Sequence, residues 1–292
     1  MSGLTSVQKK MFDEQGYLLV ERAVSDAQLT ALAAQFDDWK EQSRSHTAAY
    51  GQTIDGRAQF DLEVGHSHEH PALRRVSAPV DISQVYYDVM NTSYMTDCVA
   101  DLIGPNIKFH HSKINSKLPG SATAVKWHQD FPFTPHSNDD LITALLFVDE
   151  VTETNGPLQV LPGSHKGPIH QLWHDEVFTG AVDDKIASNC EQNARSCTGD
   201  AGSVCLMHTR LLHGSRPNKS DKARTLFIAV YSAEDAVTCS PNPVPNLHEG
   251  LIVRGVKTNR IRSCEFDIRL PQKPESASFF DQQALHSARI NV

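Results

Sequence analysis

The sequence contains no apolar run that approaches the length of a membrane-spanning helix. Residues 1–7 lack the basic and apolar regions of a secretory signal. The chain also has no internal repeat, no low-complexity segment and no recognisable linker. These absences predict a soluble protein, which we expect in the cytoplasm, and give no reason to divide the chain into separate units.

An excess of basic charge is absent as well. The 292 residues include 27 Lys and Arg against 35 Asp and Glu, which gives a net charge of -8. Non-specific nucleic-acid binding needs a basic face, so that class is disfavoured. A small anionic substrate stays possible because one pocket can be basic inside an acidic protein.

None of the six cysteines forms a C-x-x-C pair, so we expect free thiols in a reducing compartment.

The apolar spacing changes from helical to strand-like along the chain. A short helix is predicted over 6–16, and a second begins at Ser25, where Gln28 completes a capping box. Helical spacing returns over 81–103. From Ile107 onward short apolar strands alternate with Gly/Pro turns.

This order of elements predicts a mainly β protein with flanking helices, of the α+β class. We expect one domain over 1–292, in which an N-terminal helical buttress covers about 1–105. A β core built as an antiparallel barrel or sandwich covers about 106–235, and a C-terminal segment, 236–292, completes the fold or the pocket.

Trp127-His128-Gln129-Asp130 is the stretch with the clearest chemical signal. Side chains at i and i+2 of a strand share a face, so His128 and Asp130 would present an imidazole and a carboxylate together. With one more imidazole they form the face of two histidines and one carboxylate that suits non-haem Fe(II). His213 is our candidate for the third ligand.

His213 is followed closely by side chains that suit a dicarboxylate. Ser215 lies two residues later, and Arg224 stands at the head of another strand. An arginine binds a carboxylate with two parallel hydrogen bonds and stays charged when buried, and a serine hydroxyl can donate to the same group. Together with a metal face, these residues indicate a pocket for 2-oxoglutarate.

The motifs resemble those of the phytanoyl-CoA dioxygenase (PhyH) family of Fe(II)/2-oxoglutarate-dependent oxygenases. In chain order they are Glu14-Gln15-Gly16-Tyr17-Leu18-Leu19-Val20, Trp127-His128-Gln129-Asp130, Asn155-Gly156-Pro157-Leu158, Leu161-Pro162-Gly163-Ser164-His165, Gly199-Asp200, and His213-Gly214-Ser215 with Asn218, Ser220 and Arg224. Within that family, Ser112-Lys113-Ile114-Asn115 is similar to the corresponding stretch of ectoine hydroxylase.

The resemblance implies a double-stranded β-helix, or jelly-roll, core of the cupin type. It implies that His128, Asp130 and His213 bind iron and carry the catalysis. It also implies that Arg224 and Ser215 bind the distal carboxylate of 2-oxoglutarate, with Asn115 or Lys113 beside the cosubstrate.

The activity implied is hydroxylation, or another oxidation, of a small molecule, using Fe(II), 2-oxoglutarate and O₂ and releasing succinate and CO₂. Halogenases of the superfamily replace the carboxylate ligand with a small residue, so the presence of Asp130 favours oxygenation. We expect an amino acid derivative or a secondary metabolite as substrate. No nucleic-acid or membrane partner is expected, and monomer and dimer are both open.

Two other functions are compatible with the triad alone. One is a cupin-like binding protein without turnover, and the other is a zinc-dependent hydrolase that uses a metal-bound water. Neither accounts for Arg224 and Ser215.

Other histidines are further candidates for ligands or pocket residues. His208 competes with His213 as the third ligand, although motif position favours His213. The alternating His66, His68 and His70 lack an accompanying carboxylate or cysteine, so an exposed polar loop is the preferred interpretation. For His165 a structural role in its turn is favoured, and His110 or His111 could line the pocket.

The pocket walls are expected in three places. These are the polar loop over 43–70, the aromatic stretch 131–133 and the C-terminal segment around Arg254.

Overall fold

The computed structural model describes residues 3–121 and 123–272. The α-helices are α1 (Ser6–Gln15), α2 (Asp26–Ser43), α3 (Gln84–Thr92), α4 (Tyr94–Ile103) and α5 (Asp184–Asn193). The strands are β1 (Tyr17–Val20), β2 (Phe60–Leu62), β3 (Leu73–Ser77), β4 (Ile107–Lys117), β5 (Val125–His128), β6 (Leu141–Phe147), β7 (Leu158–Val160), β8 (Trp173–His174), β9 (Val177–Phe178), β10 (Arg195–Cys197), β11 (Val204–His208), β12 (His213–Ser215), β13 (Arg224–Ala233) and β14 (Ile252–Arg254).

Two antiparallel sheets form the body of the structure. The large sheet has the strand order β1-β11-β6-β13-β4-β3-β2, with β14 added beside β4. The small sheet has the order β10-β7-β12-β5, and β8 and β9 form a separate hairpin. Apolar side chains from both sheets pack between them, including Leu145, Leu158 and Met207. The predicted mainly β jelly-roll fold with flanking helices is confirmed.

Successive side chains of β6 pack alternately into two hydrophobic cores. Every residue of β6 is buried. Ile142, Ala144 and Leu146 belong to the core between the large sheet and the helices. Leu145 and Phe147 point the other way, into the core between the sheets. Because successive side chains of a strand alternate between faces, a strand covered on both sides reads as a continuous apolar run.

Helices α1 to α4 cover the outer face of the large sheet through side chains such as Phe12, Trp39 and Met95. The predicted capping box of α2 is confirmed, since the Ser25 hydroxyl accepts from the Gln28 N–H at 3.2 Å and the Gln28 side chain accepts from the Ser25 N–H at 3.0 Å. The predicted end of α1 is also confirmed, because Gly16 closes the helix with φ of 78°.

Several elements differ from the sequence-based expectations. The polar loop over 43–70 contains β2, and both β2 and β3 join the large sheet, so the expected helical region supplies these strands too. Within α4, Ile103 is buried and Leu102 is only partly covered. The described part of the chain contains no helix that is long and apolar enough to cross a membrane.

Leu146 offers a direct test of the core between the large sheet and the helices. Its side chain is fully buried, so Leu146→Ala should lower the free energy of unfolding by about 2–5 kcal/mol, through lost burial and the cavity left behind. The matched control is Leu247→Ala, because Leu247 is 70% exposed and should change stability by less than about 0.5 kcal/mol. Urea unfolding followed by circular dichroism measures both, and equal effects would contradict this packing.

Candidate active site

Three potential metal ligands meet where β5 pairs with β12. The two strands run antiparallel with His213 directly opposite His128, and the ring centroids of these two histidines lie 4.1 Å apart. Asp130 Oδ1 lies 3.5 Å from the Nε2 atom of each ring. One ligand atom from each residue falls within 4.8 Å of the others, and no comparable group of at least three occurs elsewhere in residues 3–121 and 123–272.

The backbone fixes which nitrogen of each ring faces the centre. His128 Nδ1 lies 2.8 Å from the carbonyl of Lys126, and His213 Nδ1 lies 2.9 Å from the carbonyl of Leu211. A carbonyl can only accept, so each Nδ1 carries the proton and each Nε2 presents its lone pair. This arrangement orients metal-ligating histidines and raises their basicity. The donor set therefore fits a divalent metal.

Asp130 reaches the centre from a turn and not from a strand. β5 ends at His128, and Asp130 has helical backbone angles as it begins a short 3₁₀ turn. The side chain is held by Thr143, whose hydroxyl donates to Oδ2 at 2.7 Å. Burial by itself raises the pKa of Asp130, but His213 and His128 outweigh it and hold that pKa well below its usual range. The carboxylate is therefore ionised and available as a ligand.

On one side of the triad the cavity ends at two buried basic side chains. Arg224 on β13 lies directly opposite Lys117 on β4, and both line the cavity together with Ser215. One Nη of Arg224 donates to the Gly156 carbonyl at 2.8 Å, while its buried Nε has no hydrogen-bond partner in the described structure. Lys117 Nζ donates to the Ser215 hydroxyl at 2.8 Å. This end of the cavity is suited to a carboxylate.

On the other side of the triad the walls carry a second set of basic side chains. Arg75 on β3, Lys113 on β4, His111 and Arg57 line this part. Burial, and then the neighbouring Arg75, lower the pKa of Lys113 to about 8. The described residues include no carboxylate within ion-pair distance of Lys113, and only Asp130 favours its charge from farther away.

Of the residues expected beside the cosubstrate, Asn115 and Lys113 occupy different parts of the cavity. Asn115 lies between the two cationic ends, and its buried Oδ1 has no hydrogen-bond partner in the part of the chain described. Lys113 lines both parts of the cavity. Arg224 and Ser215 lie together at the end opposite Arg57. The structure thus brings together all seven sequence-predicted site residues: His128, Asp130, His213, Arg224, Ser215, Asn115 and Lys113.

The competing histidines lie elsewhere or have other partners. His208 is outside the three-ligand group, and its Nδ1 accepts from the Arg210 N–H at 3.1 Å. His165 packs under α1, where its Nε2 lies 3.0 Å from the Asp13 carbonyl. A Cβ placed on Gly16 would be 2.4 Å from the His165 ring, so this close approach requires glycine.

The histidines of the polar loop form no ligand cluster among the described residues. His66 contacts the carbonyls of Ser43 and His46, and His68 and His70 are exposed. On β4, His111 lines the cavity, and its Nδ1 lies 2.6 Å from His110 Nδ1.

The expected pocket walls are only partly those observed. Arg57 from the polar loop and Phe133 from the aromatic stretch both line the cavity. The segment around Arg254 does not, because Arg254 pairs with Asp97 and donates to the Asn91 carbonyl behind the large sheet. The wall from the C-terminal part is formed instead by residues 243–244.

Sequence reasoning missed three side chains of the cavity that left a signal. Thr143 is the one polar residue of the otherwise apolar β6, and Arg75 is a buried charge inside the short strand β3. Lys117 shares a strand face with Lys113 and Asn115 at intervals of two residues. Arg57 left no signal, because it reaches the cavity from an irregular loop.

The comparisons with known proteins agree with this geometry. The family profile described as Phytanoyl-CoA dioxygenase (PhyH) matches residues 12–226. The chain is 34% identical over 275 residues to a probable alpha-ketoglutarate-dependent hypophosphite dioxygenase of Stutzerimonas stutzeri, covering 90% of this chain and 91% of that protein. It is 25% identical over 263 residues to the ectoine dioxygenase of Bordetella bronchiseptica, covering 83% of this chain and 81% of that protein.

A solved structure has the same fold. It is the crystal structure of EctD from S. alaskensis with 2-oxoglutarate and 5-hydroxyectoine, which superposes with a TM-score of 0.64 at 22% identity. The match covers 79% of this chain and 76% of that chain.

The choice between His213 and His208 can be tested by metal binding. His213→Ala removes an Nε2 from the three-ligand group and should weaken Fe(II) binding at least about tenfold, the scale of losing one ligand or its support. His208→Ala removes a buried histidine from outside that group and should leave the affinity unchanged. Anaerobic Fe(II) titration measures both, and loss of binding in the His208 variant would show that the ligand is misassigned.

Proposed function

Since this chain belongs to the phytanoyl-CoA dioxygenase (PhyH) family and is an Fe(II)- and 2-oxoglutarate-dependent dioxygenase, we propose that it oxidises a small anion. The family predicted from the sequence motifs is confirmed. In the proposal, His128, Asp130 and His213 hold the iron, and Arg224 with Ser215 binds the far carboxylate of 2-oxoglutarate. One observation carries the choice of substrate, namely that Lys113 lines the cavity beyond the triad with no carboxylate of the described residues within ion-pair distance.

The protein residues bind and orient the groups that react, and the cofactor supplies the chemistry. Fe(II), 2-oxoglutarate and O₂ supply the oxidising power, and the products are succinate, CO₂ and the oxygenated substrate. His128 and His213 present lone pairs from rings that are fixed by carbonyls, and Thr143 holds Asp130 in place. The deep position of the triad keeps bulk water away from the reacting groups.

The cosubstrate fits the end of the cavity at Arg224. The partnerless Nε of Arg224 and the Asn115 Oδ1 are buried polar atoms, and such atoms usually find a partner in the loaded state of a protein. The guanidinium remains a cation, although burial lowers its pKa to about 10. A carboxylate at this point offsets the buried charge.

The substrate end of the cavity also favours an anion. Lys113 is a cation without a nearby ion pair among the described residues, and Arg75, which lies opposite its neighbour Asn115 on β4, adds positive charge. A buried cation without an ion pair is unfavourable unless an anion is placed beside it. A neutral or cationic substrate would leave that cost in place.

The relative from Stutzerimonas stutzeri, which is named for hypophosphite, suggests the size of this anion. Arg57, His111 and Phe133 line the space beside the triad, and the name of this relative favours a compact oxyanion as its occupant. We therefore propose hypophosphite as the first candidate. Its oxidation would place one oxygen atom of O₂ in a P–H bond to give phosphite, and the second oxygen atom in succinate.

The other two functions considered from sequence are set aside. A binding protein without turnover and a zinc-dependent hydrolase both leave the Arg224 and Ser215 end of the cavity unexplained, and the relatives are oxygenases. The cell compartment that we propose is the cytoplasm, because Cys98, Cys190, Cys197 and Cys205 are buried free thiols.

The proposed substrate class is tested by succinate formation. The reconstituted enzyme should convert 2-oxoglutarate to succinate faster with hypophosphite or another small oxyanion than with ectoine. Phosphorus NMR would identify phosphite as the product. Stimulation by ectoine or another uncharged or zwitterionic compound, with none by any small anion, would contradict an anionic substrate while leaving the dioxygenase assignment intact.

The role of Lys113 is tested by Lys113→Met, which keeps the length of the side chain but removes its charge. We expect substrate-stimulated succinate formation to fall about tenfold or more, because a charge-assisted hydrogen bond contributes about 1.5–3 kcal/mol. The control is Lys108→Met on the same strand, since Lys108 contacts the Glu234 carbonyl and lies outside the cavity. Equal activity of both variants would exclude Lys113 as a substrate residue.

A further inference from the structure

We propose that Cys197 and Cys205 form a redox site, in which hydrogen peroxide converts the two thiols into a disulfide that joins the small sheet to the large sheet. Both cysteines are free thiols in the structure. The reaction is separate from the dioxygenase activity and does not depend on the identity of the substrate.

The contact between the two sulfurs is the first observation. Cys197 lies on β10 of the small sheet, and Cys205 lies on β11 of the large sheet. Their Sγ atoms are 3.6 Å apart, so an approach of about 1.5 Å brings them to the length of a disulfide bond. Within the described part of the chain, the other four cysteines have no thiol within hydrogen-bond distance.

The turn between the two strands holds the cysteines in place. Only residues 198–203 connect β10 to β11. Gly199 exchanges two backbone hydrogen bonds of 2.9 Å with Val151, and the Gly202 N–H donates to the Phe147 carbonyl at 2.8 Å. Folding has therefore already brought the two thiols together, and the new bond closes only a short loop.

The second observation places the thiols beside the iron cavity. Cys205 is the direct cross-strand partner of Leu145, and Cys197 is the partner of Leu158. Direct partners in an antiparallel ladder point to the same face, and both leucines line the cavity. Met207, which shares a face of β11 with Cys205, lines it as well. The thiols are therefore the lateral neighbours of side chains in the cavity wall.

Burial decides which oxidants can use this site. Both thiols are fully buried, and the hydrogen bond to Cys197, followed by burial, raises the pKa of Cys205 well above its usual range. Large disulfide reagents cannot reach such thiols, and a shortage of thiolate makes the reaction slow. Hydrogen peroxide is small and uncharged, so it can enter an apolar core. In a reducing compartment without peroxide the pair stays reduced.

The reaction balances with hydrogen peroxide as the only oxidant. One sulfur attacks a peroxide oxygen and breaks the O–O bond, which gives a sulfenic acid and one molecule of water. The second sulfur then forms the S–S bond and displaces the hydroxyl group of the sulfenic acid. That hydroxyl group leaves with the proton of the second thiol as another water. The two thiols lose two electrons and two protons, and the peroxide takes up both.

Peroxide treatment of the full-length protein without iron tests the proposal, because Fe(II) itself reacts with peroxide. The exposed thiols are removed first by Cys239→Ser and Cys264→Ser. Trypsin cuts after Arg195 and Arg210, and Asp-N protease cuts before Asp200. After the remaining thiols are blocked in denaturant, mass spectrometry should find peptides 196–199 and 200–210 joined by a bond that dithiothreitol breaks.

The bond between the sheets should also stabilise the fold. Because it limits the unfolded chain, oxidation should raise the melting temperature by about 5 °C, and dithiothreitol should reverse the rise. Cys205→Ser should show neither the joined peptides nor the rise. The matched control is Cys190→Ser, since Cys190 is equally buried but has no thiol partner among the described residues. This variant should respond to peroxide as its parent protein does.

Met207 shows when peroxide has reached this core, because its sulfoxide adds one oxygen atom to peptide 200–210. Peroxide is therefore added until Met207 sulfoxide appears. Unlinked Cys197 and Cys205 at that point would overturn the proposal. Oxidation of one of these thiols to a sulfinic acid without the joined peptides would do the same, and so would a bond from either thiol to another cysteine.

Discussion

The pairing of β5 with β12 is the constraint on which the rest of the site depends. It places His213 directly opposite His128, although 84 residues separate them in the sequence. Two rings on facing strands can share a centre only if each is held in one orientation, and the carbonyls of Lys126 and Leu211 provide that hold. The large sheet then supplies Thr143 to position Asp130. A slip in the register of this pair would separate the three ligands.

The sequence was informative wherever the signal was local. The capping box at Ser25 and the end of α1 at Gly16 both follow from short-range rules of helices. The triad was also predictable, but the reasoning from strand alternation was only partly right. β5 ends at His128, so Asp130 reaches its neighbour through a turn, and the family motif proved a better guide than the assumed geometry.

Contacts between distant segments of the chain could not be predicted from the sequence. On β4 a bulge leaves His110 without a partner on β13, because Val230 pairs with His111 and Tyr231 pairs with Phe109. Phe109 consequently faces the helices while His111 faces the cavity. A single extra residue of this kind reverses the alternation of a strand, and nothing in its composition marks the place. Arg57 and Arg75 likewise approach the cavity only through the tertiary fold.

C-terminal to the bulge, β4 carries the lysines that line both ends of the cavity. Lys113, Asn115 and Lys117 occupy alternate positions of β4, so one lysine stands on each side of an amide. Each lysine has an arginine from a neighbouring strand beside it, Arg75 for Lys113 and Arg224 for Lys117. A divalent metal at the triad adds further positive charge between the two pairs.

A buried cation in this cavity favours the binding of an anion, although the chain as a whole carries a net charge of -8. The cosubstrate is a dianion, and its distal carboxylate would compensate the charge of Arg224. Lys113 has no carboxylate within ion-pair distance among the described residues. A second anion beside Lys113 would offset that charge, and this is the physical reason for proposing a small oxyanion as the substrate.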